Sequence, residues 1–239
     1  MNINQKILEL FKRLEINTIK IYDNEIGYEM NKKPTFHNAI QELKEKGIYP
    51  YNKYSDDFDY CSKIRNLFSH RPINIIIVSK YAYKLLERLN NMVENPLRAI
   101  DICITKNNIY SKSLKDNIKD TIKVMREKTY THIPIVENNK IVGVFCEKTL
   151  FDYISKEEIS SIDLINDFND IKQYLNIANY STTIKIVKKD IKIDKIIKIF
   201  KESFEMSENL ECLFITTDGT TKGDIVGLIT IWDILNKYI

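Results

Sequence analysis

THIPIVENNKIVGVF, Thr131 to Phe145, reads as strand, turn, strand. Ile133, Ile135 and Val136 form an apolar run around Pro134, and Glu137-Asn138-Asn139-Lys140 is polar and turn-prone. Ile141, Val142, Val144 and Phe145 form a second run, with Gly143 where another stretch of backbone can come close. Upstream, Ile118, Ile122 and Met125 recur at helical spacing, with Asp120, Lys123, Arg126 and Glu127 on the opposite face. A helix, a hairpin and a short closing helix cannot bury their apolar faces alone. Such a unit needs a twin.

The twin lies further along the chain. DKIIKIF (Asp194 to Phe200) repeats the helix, ECLFIT (Glu211 to Thr216) the first strand, and IVGLI (Ile225 to Ile229) the second. Thr217-Asp218-Gly219-Thr220 is the turn, and TIWDIL (Thr230 to Leu235) opens the closing helix. Lys156 to Tyr180 reads as a partly helical connector. TTIKIV, Thr182 to Val187, alternates as the strand that opens the second copy, as Ile100, Ile102 and Ile104 do for the first. An insertion, Ser203 to Glu208, is expected to lengthen the lip of the second copy.

The pair resembles a tandem of cystathionine-β-synthase-type (CBS) domains, a Bateman module, from about Leu97 to Ile239. The family motif is glycine, two apolar residues, Thr or Ser, two variable residues, Asp, then apolar residues. Gly227-Leu228-Ile229-Thr230-Ile231-Trp232-Asp233-Ile234-Leu235 meets it throughout. The first copy keeps Gly143, Val144 and Phe145, but has Cys146 in the Thr place and Thr149 in the Asp place. The resemblance implies an adenine nucleotide (AMP, ADP or ATP) as regulatory ligand, with Asp233 accepting from the ribose hydroxyls and Thr230 bonding ribose or phosphate. A carboxylate suits a vicinal diol because it only accepts. Thr149, His132 and Thr183 are the further ligand-binding candidates, and the first-copy site is expected to be empty, degenerate or changed in ligand. The plainer alternative makes Thr230 an N-cap with Asp233 in the first helical turn, and His132 a surface histidine.

Before Pro96 the periodicity is helical. Ile3 to Leu14 forms a first helix, Asn17 to Lys33 is left unassigned, and Pro34 to Lys46 forms a second, with Thr35 as N-cap and Gly47 as stop. Asp56 to Ser69 forms a third and Ile73 to Val93 a fourth. The fold class expected is α+β: a helical bundle over 1–96, then the CBS pair over 97–239, with copies at 97–155 and 182–239 joined by a connector at 156–181.

Arg65-Asn66-Leu67-Phe68-Ser69-His70 ends the third helix. It resembles the motif of HEPN (higher eukaryote and prokaryote nucleotide-binding) domains, many of which are metal-independent ribonucleases acting as dimers. That resemblance makes Arg65, Asn66 and His70 catalytic candidates and RNA a candidate substrate. His70 would move protons and Arg65 would stabilise phosphate charge. The alternative pairs Arg65 with Asp59 or another acid and makes His70 merely a cap of the helix C-terminus.

Composition limits the partners. A net charge of +3 gives no global case for nucleic acid. Cys61, Cys103, Cys146 and Cys212 share no C-x-x-C spacing, which favours free thiols over disulfides or zinc, and no metal is expected. No apolar run approaches the ~20 residues of a membrane span, and the N-terminus has charges within its apolar pattern, so a cytoplasmic location is expected. Three functions remain: a nucleotide sensor controlling the helical domain, a nucleotide-gated ribonuclease, and a ligand-free dimerisation module. Each fits a homodimer.

Overall fold

The computed structural model describes residues 3–27, 33–70, 79–156 and 166–238. The chain divides into two compact units, Met1–Leu97 with two short pieces, Lys192–Asp194 and Lys237–Ile239, and Arg98–Ile191 with Lys195–Asn236. The fold class is α+β.

The first unit holds α1 (Ile3–Glu25), α2 (Phe36–Glu45), α3 (Ser55–His70) and α4 (Lys80–Glu94). Ile7, Phe11, Leu14, Ile40, Leu43, Phe58, Leu86 and Leu89 meet in its core. Each such side chain taken from water contributes about 1.5–3 kcal/mol before entropy is charged against it. α1 runs well past Leu14, because Thr18, Ile19 and Tyr22 extend the buried stripe. It ends at Gly27, whose φ of 82° frees its N–H to reach the Tyr22 carbonyl at 3.2 Å. Thr35 caps α2 by accepting from the Asn38 N–H. Gly47 closes that helix: its N–H reaches the Lys44 carbonyl while Ile48 N–H reaches Leu43, the paired bonds of a Schellman end. α4 starts later than the sequence suggests. Ser79 is extended and accepts from Ala82 N–H, so the described helix begins at Lys80. The earlier start at Ile73 falls on residues outside those described.

The second unit holds a one-turn helix α5 (Ala99–Ile102), β1 (Ile104–Thr105), α6 (Ile118–Lys128), β2 (His132–Glu137), β3 (Lys140–Cys146) and α7 (Glu147–Lys156). After the connector come β4 (Ile184–Lys188), α8 (Ile193–Glu205), β5 (Cys212–Thr216), β6 (Ile225–Thr230) and α9 (Ile231–Tyr238). The alternation of Ile100, Ile102 and Ile104 is therefore not a strand. Asp101 accepts from the Arg98 N–H and closes a helical turn, leaving only Ile104 and Thr105 extended. The expected lip at Ser203 is also different: α8 runs on to Glu205, and Glu208 folds back to pair with Lys185 at 3.0 Å.

β2 and β3 form a hairpin whose two-residue turn, Asn138-Asn139, has φ of 49° and 66°. Asparagine tolerates this left-handed pair, whose twist matches that of the strands. β4 pairs parallel to β5, and β5 antiparallel to β6. In the first copy, Lys112 makes the matching parallel bridge to Ile135. The copies also share an inner layer of Ile141, Val144, Cys146, Ile184, Cys212, Phe214 and Ile225.

The two signature glycines mark a reciprocal crossing. β1, near the start of the first copy, pairs with β6 of the second at Ile104↔Leu228 and Thr105↔Gly227. A Cβ on Gly227 would lie 2.4 Å from Cys103 Sγ and 2.8 Å from the Ile104 carbonyl. Leu175, which precedes the second copy, crosses the first: Val144 N–H donates to its carbonyl at 2.9 Å. A Cβ on Gly143 would lie 2.6 Å from Leu175 Cβ. Neither position has room for a side chain.

Candidate functional site

The site is built from the start of α9. β6 delivers Thr230, whose N–H and Oγ1 both donate to Asp233 Oδ2, at 2.9 and 2.8 Å. This is the capping geometry, with Asp233 one turn inside the helix. Asp233 Oδ1 accepts no hydrogen bond from any described residue.

Beside this cap opens a cleft of about 390 Å³, within the range that holds small ligands. Thr129, Tyr130, Thr131 and His132 line one side. Asn209, Leu210, Glu211 and Cys212 line another, and Leu228, Thr230, Ile231 and Trp232 complete it. The two copies contribute equivalent segments, each the lead-in to its own hairpin. His132 is not a surface histidine: its side chain is 8% exposed, with Nδ1 3.2 Å from Glu211 Oε2 and 3.0 Å from Thr131 Oγ1. Burial pushes its pKa below the ordinary histidine value, and Glu211 pulls the other way without prevailing. Trp232, by contrast, is 70% exposed at the cleft edge. Glu211 and Trp232 were not singled out from sequence. The signal available was Trp232 inside the Thr230–Asp233 motif, and Glu211 at the repeat position of Thr131.

The first copy uses the same cap in reduced form. Thr149 Oγ1 accepts from Cys146 N–H at 3.1 Å, as Asp233 accepts from Thr230. Thr149 is fully buried, however, and the Tyr180 hydroxyl lies 2.8 Å from Oγ1 and 2.7 Å from the Tyr174 carbonyl. Burial raises the Tyr180 phenol to about 12, so it stays a donor. The connector thus covers Thr149 through Tyr180. Thr183 also turns away from the cleft: its hydroxyl donates to the Tyr180 carbonyl, and its own carbonyl accepts from Glu211 N–H. A neighbouring cleft of about 420 Å³ shares Thr129, Tyr130 and Thr131 and adds Arg126, Glu147 and apolar residues of α6 and α7.

In the first unit, Arg65 reaches across to α1. Its Nη2 lies 3.1 Å from both Glu15 carboxylate oxygens and its Nε 3.3 Å from one of them. Asn66 is exposed. α3 ends at His70, whose side chain lies outside the described residues. The guanidinium is engaged as the ion-pair alternative requires, but the acid is Glu15 on α1; Asp59 instead accepts from Gln41 Nε2 at 2.6 Å.

Among the described residues no group of His, Cys, Asp and Glu has the arrangement of a metal site, and no helix is long and apolar enough to cross a membrane. The CBS-domain family model matches residues 100–156, so this part of the chain is a CBS domain. No curated protein matches the chain by sequence. Similar solved structures include CBSX2 in complex with AMP, at 15% identity over 58% of this chain and 93% of that one, TM-score 0.42. A CBS domain protein from Streptococcus pneumoniae TIGR4 is 19% identical over 56% and 78%, TM-score 0.44. A hemolysin-like protein containing a CBS domain, from Oenococcus oeni PSU, is 16% identical over 64% and 97%, TM-score 0.39.

Proposed function

We propose that the second unit is a regulatory sensor that binds an adenine nucleotide in the cleft beside α9 and controls the helical unit. The observation that carries this reading is the Thr230–Asp233 cap at the start of α9, whose Thr230 lines a cleft of ligand size. Ribose hydroxyls donating to the Asp233 carboxylate would make charge-assisted bonds, worth ~1.5–3 kcal/mol each. A CBS domain in the same unit, and AMP in one similar CBS-type structure, support the choice of an adenine ligand. The assembly proposed is a homodimer, supported by Phe151 on α7 and Phe204 on α8, large apolar side chains that stand 69% and 85% exposed.

Calorimetry with AMP, ADP and ATP tests the sensor. Asp233→Ala should weaken binding by about tenfold or more, as loss of one charge-assisted bond requires. Absence of binding at millimolar ligand in the wild type ends the proposal. Sedimentation at micromolar protein tests the assembly, with particles of single-chain mass only as the refuting result.

A further inference from the structure

The cleft of about 420 Å³ between α6 and α7 combines an apolar floor with one charged residue of each sign. Phe145 and Met125 line it from the core, and the Phe145 ring meets Phe168 edge-on, with centroids 5.1 Å apart. Ile122 and Leu150 line it half-buried and pack against the same core. Such a floor takes up an apolar group and releases water from both surfaces.

Arg126 and Glu147 are the charged residues among those that line this cleft. Arg126 stands in the last turn of α6 and Glu147 in the first turn of α7, where each sign suits its helix end. That accounts for each charge alone, but not for their meeting on one cleft. Both are exposed, and neither side chain forms an ion pair or hydrogen bond with the other or with any described residue. A guanidinium fork is thus open to a carboxylate, and a carboxylate to an ammonium, beside one apolar floor. A ligand with a single charge leaves one of the two unmatched, and an uncharged ligand leaves both. A ligand with a carboxylate, an ammonium and a short apolar group satisfies all three features.

We infer that this cleft binds a free α-amino acid with an apolar side chain, its carboxylate on Arg126 and its ammonium on Glu147. The site is separate from the nucleotide reading, which uses the Thr230–Asp233 cap and neither of these charges.

The test is calorimetric titration of the full chain with L-leucine and with three relatives that each lack one feature. 4-Methylpentanoate lacks the ammonium, 3-methylbutylamine the carboxylate, and glycine the apolar group. Leucine should bind about tenfold or more tightly than each relative, as loss of a charge-assisted bond or of the buried side chain requires. Arg126→Gln should cost leucine about tenfold without weakening the amine, and Glu147→Gln should cost leucine about as much without weakening the acid. A merely structural role for either residue would weaken all probes alike. Circular dichroism checks that both variants remain folded. If leucine and its relatives bind alike, or if either variant weakens all probes equally, the inference falls. If no probe binds at millimolar ligand while an adenine nucleotide does, the inference falls and the sensor reading stands. If leucine binds with the expected pattern and no nucleotide does, the reverse holds. If leucine fails to bind and Leu150→Glu turns a dimer into single chains in sedimentation, the cleft seats a second copy of this chain, and the inference falls.

Discussion

Substituting Gly143 by alanine tests the reciprocal crossing. The added Cβ would sit 2.6 Å from Leu175 Cβ and 2.9 Å from its carbonyl oxygen. Ordinary contact begins near 3.4 Å, so the two backbones must part by nearly an ångström. Neither can yield by rotating a side chain, because Leu175 O is already held by Val144 N–H at 2.9 Å. Overpacking of this kind costs about 1–3 kcal/mol. Stretching the shared hydrogen bond adds about 0.5–1.5 kcal/mol. Gly143→Ala should therefore destabilise the second unit by about 2–4 kcal/mol. Gly27→Ala is the comparison: nothing lies within 4 Å of its Cβ, and only its φ of 82° is strained, costing about 1–2 kcal/mol in the first unit. Urea denaturation followed by Trp232 fluorescence reads the second unit selectively. A Gly143→Ala loss below about 0.5 kcal/mol would refute the crossing as a tightly packed contact.

Other expectations address single side chains. His132 has its folded pKa depressed below the unfolded value near 6.5, so its contribution is whole above that pH and is lost as pH falls through the folded pKa. His132→Asn should flatten the acid side of the stability curve measured by thermal melts from neutral pH downward; an unchanged slope would disprove the assignment. Thr149→Val removes a buried hydroxyl that serves Cys146 N–H and Tyr180, and should cost about 1–3 kcal/mol by urea denaturation while leaving ligand affinity at the Asp233 cleft intact. Arg65→Ala breaks a partly exposed ion pair between α1 and α3, and solvent screening limits the expected loss to about 0.5–1 kcal/mol in denaturant titration. A metal-free RNA-cleavage activity abolished by that substitution would overturn the structural role given to Arg65.

What sequence made legible was whatever depended on local pattern. The repeated hairpins, the Thr230–Asp233 cap, and the Thr35 and Gly47 ends of α2 all follow from residue type at fixed spacing. Partnership between distant segments was less legible. Ile100, Ile102 and Ile104 satisfy strand alternation, yet Asp101 diverts them into a turn. Thr149 occupies a ligand position in the repeat, but the roof over it is Tyr180, from a connector with no repeat counterpart to compare. His132 likewise looked exposed because its partner Glu211 lies far along the chain. The cleft, too, is lined by segments far apart in the chain.

The crossing of β1 onto β6 has a consequence for synthesis. On the ribosome, Ile104 and Thr105 emerge well before their partners Gly227 and Leu228, which lie far along the chain. The first copy also lacks Phe168, Ile171 and Leu175 from its core until the connector has left the exit tunnel. A nascent chain stalled after Lys156 would thus hold an apolar, unclosed half, open to chaperones and to protease. The module should become resistant to digestion in one step, only when its final strand is released.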